Sequence, residues 1–204
     1  MMSTEGKRNS GLRERKKAKT MASVQMHALR LFREQGYSAT TVEQIAEAAE
    51  ISPSTFFRYF STKEDVMIND NYDPLLIAAF EDQPAGLSPI QAVRAAINAG
   101  ISEMSTDELD VMRQRDELIG RVPELRAANL KNMIQTIELM AGMLAKRTGR
   151  SSDDLEIRTL AGAIVGVNTS IMLYCAEHRE FDFAERMDKA LSFLEAGLPL
   201  QNIE

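Results

Sequence analysis

One cysteine, two histidines and no tryptophan leave this 204-residue chain poor in the side chains that covalent and metal chemistry most often uses. A single thiol cannot close a disulfide within the chain, which fits a reducing compartment. Cys175 and His178 stand three apart on one helical face, but two ligands without a third nearby do not hold a metal. There is no Gly-rich phosphate loop, H-E-x-x-H, C-x-x-C or nucleophile elbow, so no enzyme, metal or cofactor is expected. Long apolar runs are missing as well. The longest, residues 161–167, falls far short of the roughly 20 residues a membrane span needs. Residues 7–19 are basic with no apolar run behind them, unlike a signal peptide. The expectation is a soluble, cytoplasmic protein with no membrane partner.

What is present is an uneven charge. Residues 1–68 hold eleven Lys or Arg against eight Asp or Glu, a net of +3. The remainder holds thirteen against twenty-two, a net of −9, which together give the chain its −6. Positive charge is densest at Lys7, Arg8, Arg13, Arg15, Lys16, Lys17 and Lys19, in a Gly- and Ser-containing stretch with no packing face. Residues 1–19 therefore read as a basic flexible arm, either solvated or following the phosphates of a nucleic acid.

Apolar periodicity predicts an all-α chain of nine segments with no strand and no repeat. Residues 21–35 place Val24, Ala28, Leu31 and Phe32 on one face and stop at Gly36. Further segments are expected at 42–49, 53–59, 63–80 (with Pro74 a possible break), 89–105, 107–120, 123–149, 152–177 and 182–196. Ser88, Pro89 and Gln91 combine an N-cap, a first-turn proline and a capping-box partner.

The densest local signal lies between Thr41 and Glu64. Thr41 and Gln44 form a capping box, and Val42, Ile45, Ala46 and Ala49 then recur at i, i+3, i+4, i+7. Ser52 and Pro53 open a second short helix within about one turn, which forces a steep crossing. Ser61 and Glu64 read as a third box. Two short helices across a tight turn, followed by a third segment, have the plan of a helix-turn-helix DNA reader.

Over residues 20–68 the chain resembles the tetracycline-repressor (TetR) family of bacterial transcription regulators, whose pattern runs roughly T-x-x-x-I-A-x-x-A-G-V-S-x-G-T-x-Y-x-x-F-x-x-K-E. The matching residues are Thr41, Ile45, Ala46, Ala49, Ser52, Thr55, Phe60, Lys63 and Glu64, with Leu31-Phe32 and Gly36-Tyr37 upstream. Glu50 stands where the turn usually carries Gly, and Phe57 where a Tyr usually offers its hydroxyl. The resemblance implies an N-terminal helix-turn-helix domain at 20–68 and a larger helical effector-binding and dimerisation domain at 69–204. It also implies a homodimer on a palindromic double-stranded operator, released by a small molecule. An all-helical protein–protein adaptor is the alternative, but it leaves the basic arm and the Thr41–Glu64 pattern without a purpose.

By position, Pro53, Ser54, Phe57 and Arg58 face the major groove, while Phe56 and Phe60 face the core. Arg58, the one cation in its helix, suits a guanine edge, and Phe57 suits a thymine methyl. The resemblance adds Thr41, Thr55, Tyr59 and Lys63 as phosphate contacts. For the effector, Met104, Met112, Met133, Met140 and Met172 are adaptable lining side chains. Arg113 and Asn168 are polar residues whose burial would demand partners. The helices at about 152–178 and 182–197 are expected to pair with their copies: residues 160–174 are apolar or small nearly all round, and Gly162 and Gly166 admit a close neighbour.

Overall fold

Arg13 to Lys19 are all helix formers, and such residues ahead of a packed amphipathic turn continue its helix rather than leave it. In the computed structural model of the chain, which describes residues 4–69, 73–178 and 183–198, α1 therefore runs over Thr4–Gln35. Of the basic stretch expected as an arm at 1–19, the backbone is helical from Thr4, and Lys16, Lys17 and Lys19 are exposed on it. The order continues α2 (Val42–Ala48), α3 (Pro53–Tyr59), α4 (Asp65–Ile68), α5 (Asp73–Glu81), α6 (Pro89–Ser102), α7 (Thr106–Arg121), α8 (Pro123–Thr148), α9 (Leu155–Glu177) and α10 (Phe183–Glu195). No strand occurs among the described residues, so the fold is all-α as expected. The chain divides into two compact units, Met1–Asn71 and Tyr72–Glu204.

In the first unit Val24, Ala28 and Phe32 of α1 close over Ile45, Ala46, Phe56, Phe60, Val66 and Met67, all buried. The single segment expected at 63–80 is instead two helices, α4 and α5. The third capping box also sits one residue later than expected. Asp65 Oδ2 accepts from the Thr62 amide (3.0 Å) and the Asp65 amide donates to Thr62 Oγ1 (3.2 Å). Glu64 is thereby free to turn elsewhere.

In the second unit α9 packs against α7, α8 and α10, while α6 lies on α5 and α10. Phe80, Val93, Leu144, Ile164, Met187 and Leu191 anchor the core. The Ser88–Gln91 box opens α6 as expected. Ser105 with Glu108 opens α7, and Asp154 rather than Ser152 caps α9, its carboxylate accepting from the Glu156 amide at 2.9 Å. Residue 182, where the last segment is expected to start, lies outside the described residues. Arg94 ties α6 to α10 through two bonds of 2.9 Å to Asp188 and one of 2.9 Å to Glu195.

Length and composition alone would let α9 cross a membrane, but it is the central helix of this unit, with one side left open. Leu130 and Ile134 of α8 are exposed, so the apolar face of this helix is uncovered at these two residues within the unit.

Candidate nucleic-acid interface

The turn between α2 and α3 is built from main-chain bonds. The Ile51 amide reaches Ala46 O (2.9 Å) and the Glu50 amide reaches Glu47 O (3.0 Å), the paired closure that ends a helix through a left-handed residue. That residue is Glu50, at φ 55°, the position where the family pattern carries Gly. Side chains with a Cβ pay steric strain there. The closure is nonetheless complete, and Ser52, whose Oγ accepts from the Thr55 amide at 3.1 Å, starts α3 at once.

The result is a short α3 that buries Phe56 against the unit's core and turns its other side outward. Phe56 and Phe60, both buried, meet at a tilt with 5.6 Å between ring centroids, as expected of a core-facing pair. Pro53, Ser54 and Arg58 are exposed, and Phe57 is 53% exposed although its ring meets Phe56 edge-on at 5.4 Å. A large apolar side chain held open on the leading helix suits a base methyl better than water.

The hydroxyls around this face keep protons to give. Thr41 Oγ1 accepts from the Gln44 amide (3.2 Å) and retains its own O–H. Ser52 Oγ and Thr55 Oγ1 lie 3.0 Å apart and share one hydrogen bond, which leaves one of the two protons for an outside acceptor. Arg58 rests 5.0 Å above the Tyr59 ring and donates to its hydroxyl at 3.3 Å, so Tyr59 also retains its O–H while Arg58 keeps further N–H groups for a planar acceptor pair.

Lys63 is placed differently from the other nominated residues. Its ammonium is turned inward, donating to the carbonyls of Tyr37 (2.9 Å) and Thr40 (3.0 Å), and it lies 3.9 Å from the Tyr37 ring centroid. Beside it the Tyr37 hydroxyl donates to Glu64. Burial works against the Glu64 carboxylate. That hydroxyl, the residue's own amide, the Thr62 hydroxyl and the Lys63 charge outweigh it and hold the carboxyl below its ordinary range. Thr40 is itself buried, with Oγ1 donating to Gly36 O at 2.8 Å. Tyr37, Thr40 and Glu64 were not among the site residues expected from sequence. The signal that could have found them is the Gly36-Tyr37 and Lys63-Glu64 pairs of the family pattern, here brought together.

The residues nominated for an effector do not assemble around one cavity. Met140 and Met172 are buried in the packed core, with Met140 joined there by half-buried Met133. Met104 and Met112 are half-buried, and Arg113 is paired with Asp110 three residues earlier. Asn168 is exposed on α9. The depression of 410 Å³ in this unit is lined instead by Ile90, Leu155, Glu156, Thr159, Leu160, Ala163 and Leu194. It lies on the open side of α9, where a Cβ placed on Gly162 or Gly166 would meet nothing within 4 Å and where Leu155 is 80% exposed.

Residues 27–68 match the family model for bacterial regulatory proteins of the tetR family, and residues 87–199 match the model for the MftR C-terminal domain. The chain is 38% identical over 151 residues to the HTH-type transcriptional regulator TcmR of Streptomyces glaucescens, spanning 71% of this chain and 67% of that one. It is 26% identical over 191 residues to the transcriptional regulator MftR of Mycobacterium tuberculosis, spanning 92% and 96%. Its fold is similar to that of Thermus thermophilus FadR, a repressor crystallised with lauroyl-CoA, with a TM-score of 0.53, 24% identity and coverage of 90% and 97%.

Proposed function

The chain belongs to the tetracycline-repressor family of bacterial transcription regulators, and we propose that it is a homodimeric repressor that leaves a palindromic operator when a small, largely apolar effector binds its second unit. Its first unit binds DNA. The observation that carries the reading is α3, which buries Phe56 while holding Pro53, Ser54, Phe57 and Arg58 outward together, with capped helix starts and spare hydroxyl protons at Thr41, at Tyr59 and at one of Ser52 and Thr55 beside them. Arg58 reads a guanine edge, Phe57 packs on a thymine methyl, and the hydroxyls fix the register on phosphates. The basic first half of α1 adds charge that follows the backbone.

Two copies are required because a palindrome is read by recognition helices about 34 Å apart, one turn of DNA, or a multiple of it. The open side of α9, with Gly162 and Gly166 clear of neighbours, and the exposed Phe193 of α10 supply a self-complementary surface for a two-fold bundle. An apolar effector is supported by the acyl thioester that FadR holds in the same fold. A DNA-bound role supports a cytoplasmic location.

The test is selection of duplexes from a randomised library by the full chain, followed by footprinting. A palindrome protected as two half-sites is the expected outcome, and failure to enrich any sequence overturns the reading. Thermal-shift screening against acyl thioesters, lipophilic cations and aromatic metabolites then finds effector candidates. A compound that stabilises the protein yet leaves its affinity for the selected duplex unchanged occupies the unit without being the inducer.

A further inference from the structure

We propose that Lys63 is a positioning residue of the DNA reader: its ammonium bolts the start of α4 to the loop between α1 and α2, and so holds Thr41 and the first turn of α2 where a phosphate meets them. The inference rests on the DNA-reading function argued above and differs from the phosphate contact that the family pattern assigns to this lysine.

The geometry is specific. An ammonium has three N–H donors, and two of them are taken by the carbonyls of Tyr37 and Thr40, at 2.9 and 3.0 Å. Both carbonyls belong to the loop leaving α1, and Thr40 immediately precedes Thr41, the N-cap of α2. The charge also lies over the Tyr37 ring, 3.9 Å from its centroid, an arrangement that stabilises a cation held away from bulk water. The neighbouring Glu64 accepts from the hydroxyl of the same tyrosine, so one residue of the loop is gripped at its backbone, ring and hydroxyl by two consecutive residues of the chain. A second set of bonds holds the far side of the loop: Gln35 Nε2 donates to Thr40 Oγ1 (3.1 Å) and to Gln44 Oε1 (2.9 Å), the latter also accepting from the Thr41 amide (2.9 Å). The lysine is thus one of two braces on the residue pair that begins α2. Its removal frees the loop on one side while Gln35 and Gln44 still hold the other.

Salt dependence separates this role from a direct contact. Each phosphate neutralised by a protein cation contributes about −0.9 to the slope of log affinity against log salt. The probe is a duplex that the parent protein itself recovers from a randomised library, and the parent's binding to it is the independent check on DNA reading. Lys63→Met, of similar length but uncharged, and Lys63→Arg are titrated against it at several salt concentrations, well below the melting temperature of each. The expected result is an affinity lower by roughly tenfold for Lys63→Met at every salt concentration, with the parent's slope retained and partial rescue by Lys63→Arg. A slope shallower by about 0.9 means that Lys63 meets a phosphate and overturns the proposal, as does a folded Lys63→Met that binds as tightly as the parent, which makes the bolt merely structural. Where Lys63→Met does not fold, the parent decides. The ¹⁵N resonance of the Lys63 ammonium keeps its free-protein shift on addition of the duplex if the bolt stays closed, and a scalar coupling from it to a DNA ³¹P nucleus overturns the proposal.

Discussion

Around the loop of the first unit, Gln35, Tyr37, Thr40, Lys63 and Glu64 bond to one another, and the small core beneath them closes over Phe56 and Phe60 within about seventy residues of chain. The second unit is larger, yet α9 at its centre keeps one side open, with Leu155, Gly162 and Gly166 facing no neighbour of their own chain. The contrast teaches a division of labour. A reader must present a rigid face to DNA and is braced by short polar bonds from within, whereas the second unit keeps an apolar side open for the second copy proposed above. Substitutions that act in one unit and spare the other test this division.

The largest effect is expected from Gly166→Leu. A Cβ there meets nothing within 4 Å in a single chain, so the fold is expected to be spared while the approach of a second α9 is blocked. Losing the second half-site should cost about 10²- to 10⁴-fold in affinity for a palindromic duplex, with helical content near that of the parent by circular dichroism. Gly120→Ala is the internal control. Its Cβ would lie 2.5 Å from the Ala176 Cβ, across the packed face of α7 against α9. Overpacking of about 1–3 kcal/mol in the second unit is expected, read as a lower melting temperature, whether or not the protein dimerises. Equal behaviour of the two variants would break the comparison.

Within the reader, Arg58→Ala is expected to cost about 1–3 kcal/mol on the selected duplex and to relax base preference at one position of each half-site. Selection repeated with the variant checks this, and an unchanged preference removes Arg58 from base reading. Glu50→Gly addresses strain in the same unit. Relief of a left-handed L-residue should stabilise the reader by about 1 kcal/mol in denaturant unfolding. Gly149, at φ 69°, ends α8 through a left-handed residue as well, with the Arg150 amide on Ala145 O at 3.1 Å. There Gly149→Ala should cost about the same amount in the second unit.

The smallest effect concerns acid. The Glu64 carboxyl is held below its ordinary range, with burial opposing and the Tyr37 hydroxyl leading the groups that prevail. A depressed carboxylate contributes stability that is present above the unfolded value, about 4.3, and is lost as pH falls through the lower folded value. Parent melting should therefore decline in that acid window more than that of Glu64→Gln. Parallel curves would remove Glu64 from the brace.

Much of this was legible in the sequence where the cause is local. Thr41 with Gln44, Ser52 with Pro53, Ser88 with Gln91 and the stop at Gly149 are short-range chemistry, and the structure has them as expected. The core-facing Phe56 and Phe60 followed from a spacing of four on one helix. Where two readings lie one residue apart, local chemistry does not choose. Ser61 with Glu64 and Thr62 with Asp65 both spell a box, and the choice falls to the second because the Tyr37 hydroxyl, 27 residues away in sequence, takes Glu64. The inward turn of Lys63 was hidden for a related reason: its partners are main-chain carbonyls, which residue types do not display. The first half of α1 carries no apolar stripe, so periodicity predicts no helix before residue 21, although Arg13 to Lys19 are all helix formers. Asn168 stands among apolar neighbours in sequence, yet it lies on the open side of its helix, which exposes polar and apolar residues alike.

The central claim is that the first unit reads DNA, and salt titration of the parent protein on its selected palindromic duplex tests it most directly. Two chains per duplex, discrimination against a scrambled duplex, and log affinity falling linearly with log salt at about −0.9 per neutralised phosphate are the predicted result. Binding that is indifferent to salt, or equal on the scrambled duplex at every salt concentration, would contradict it.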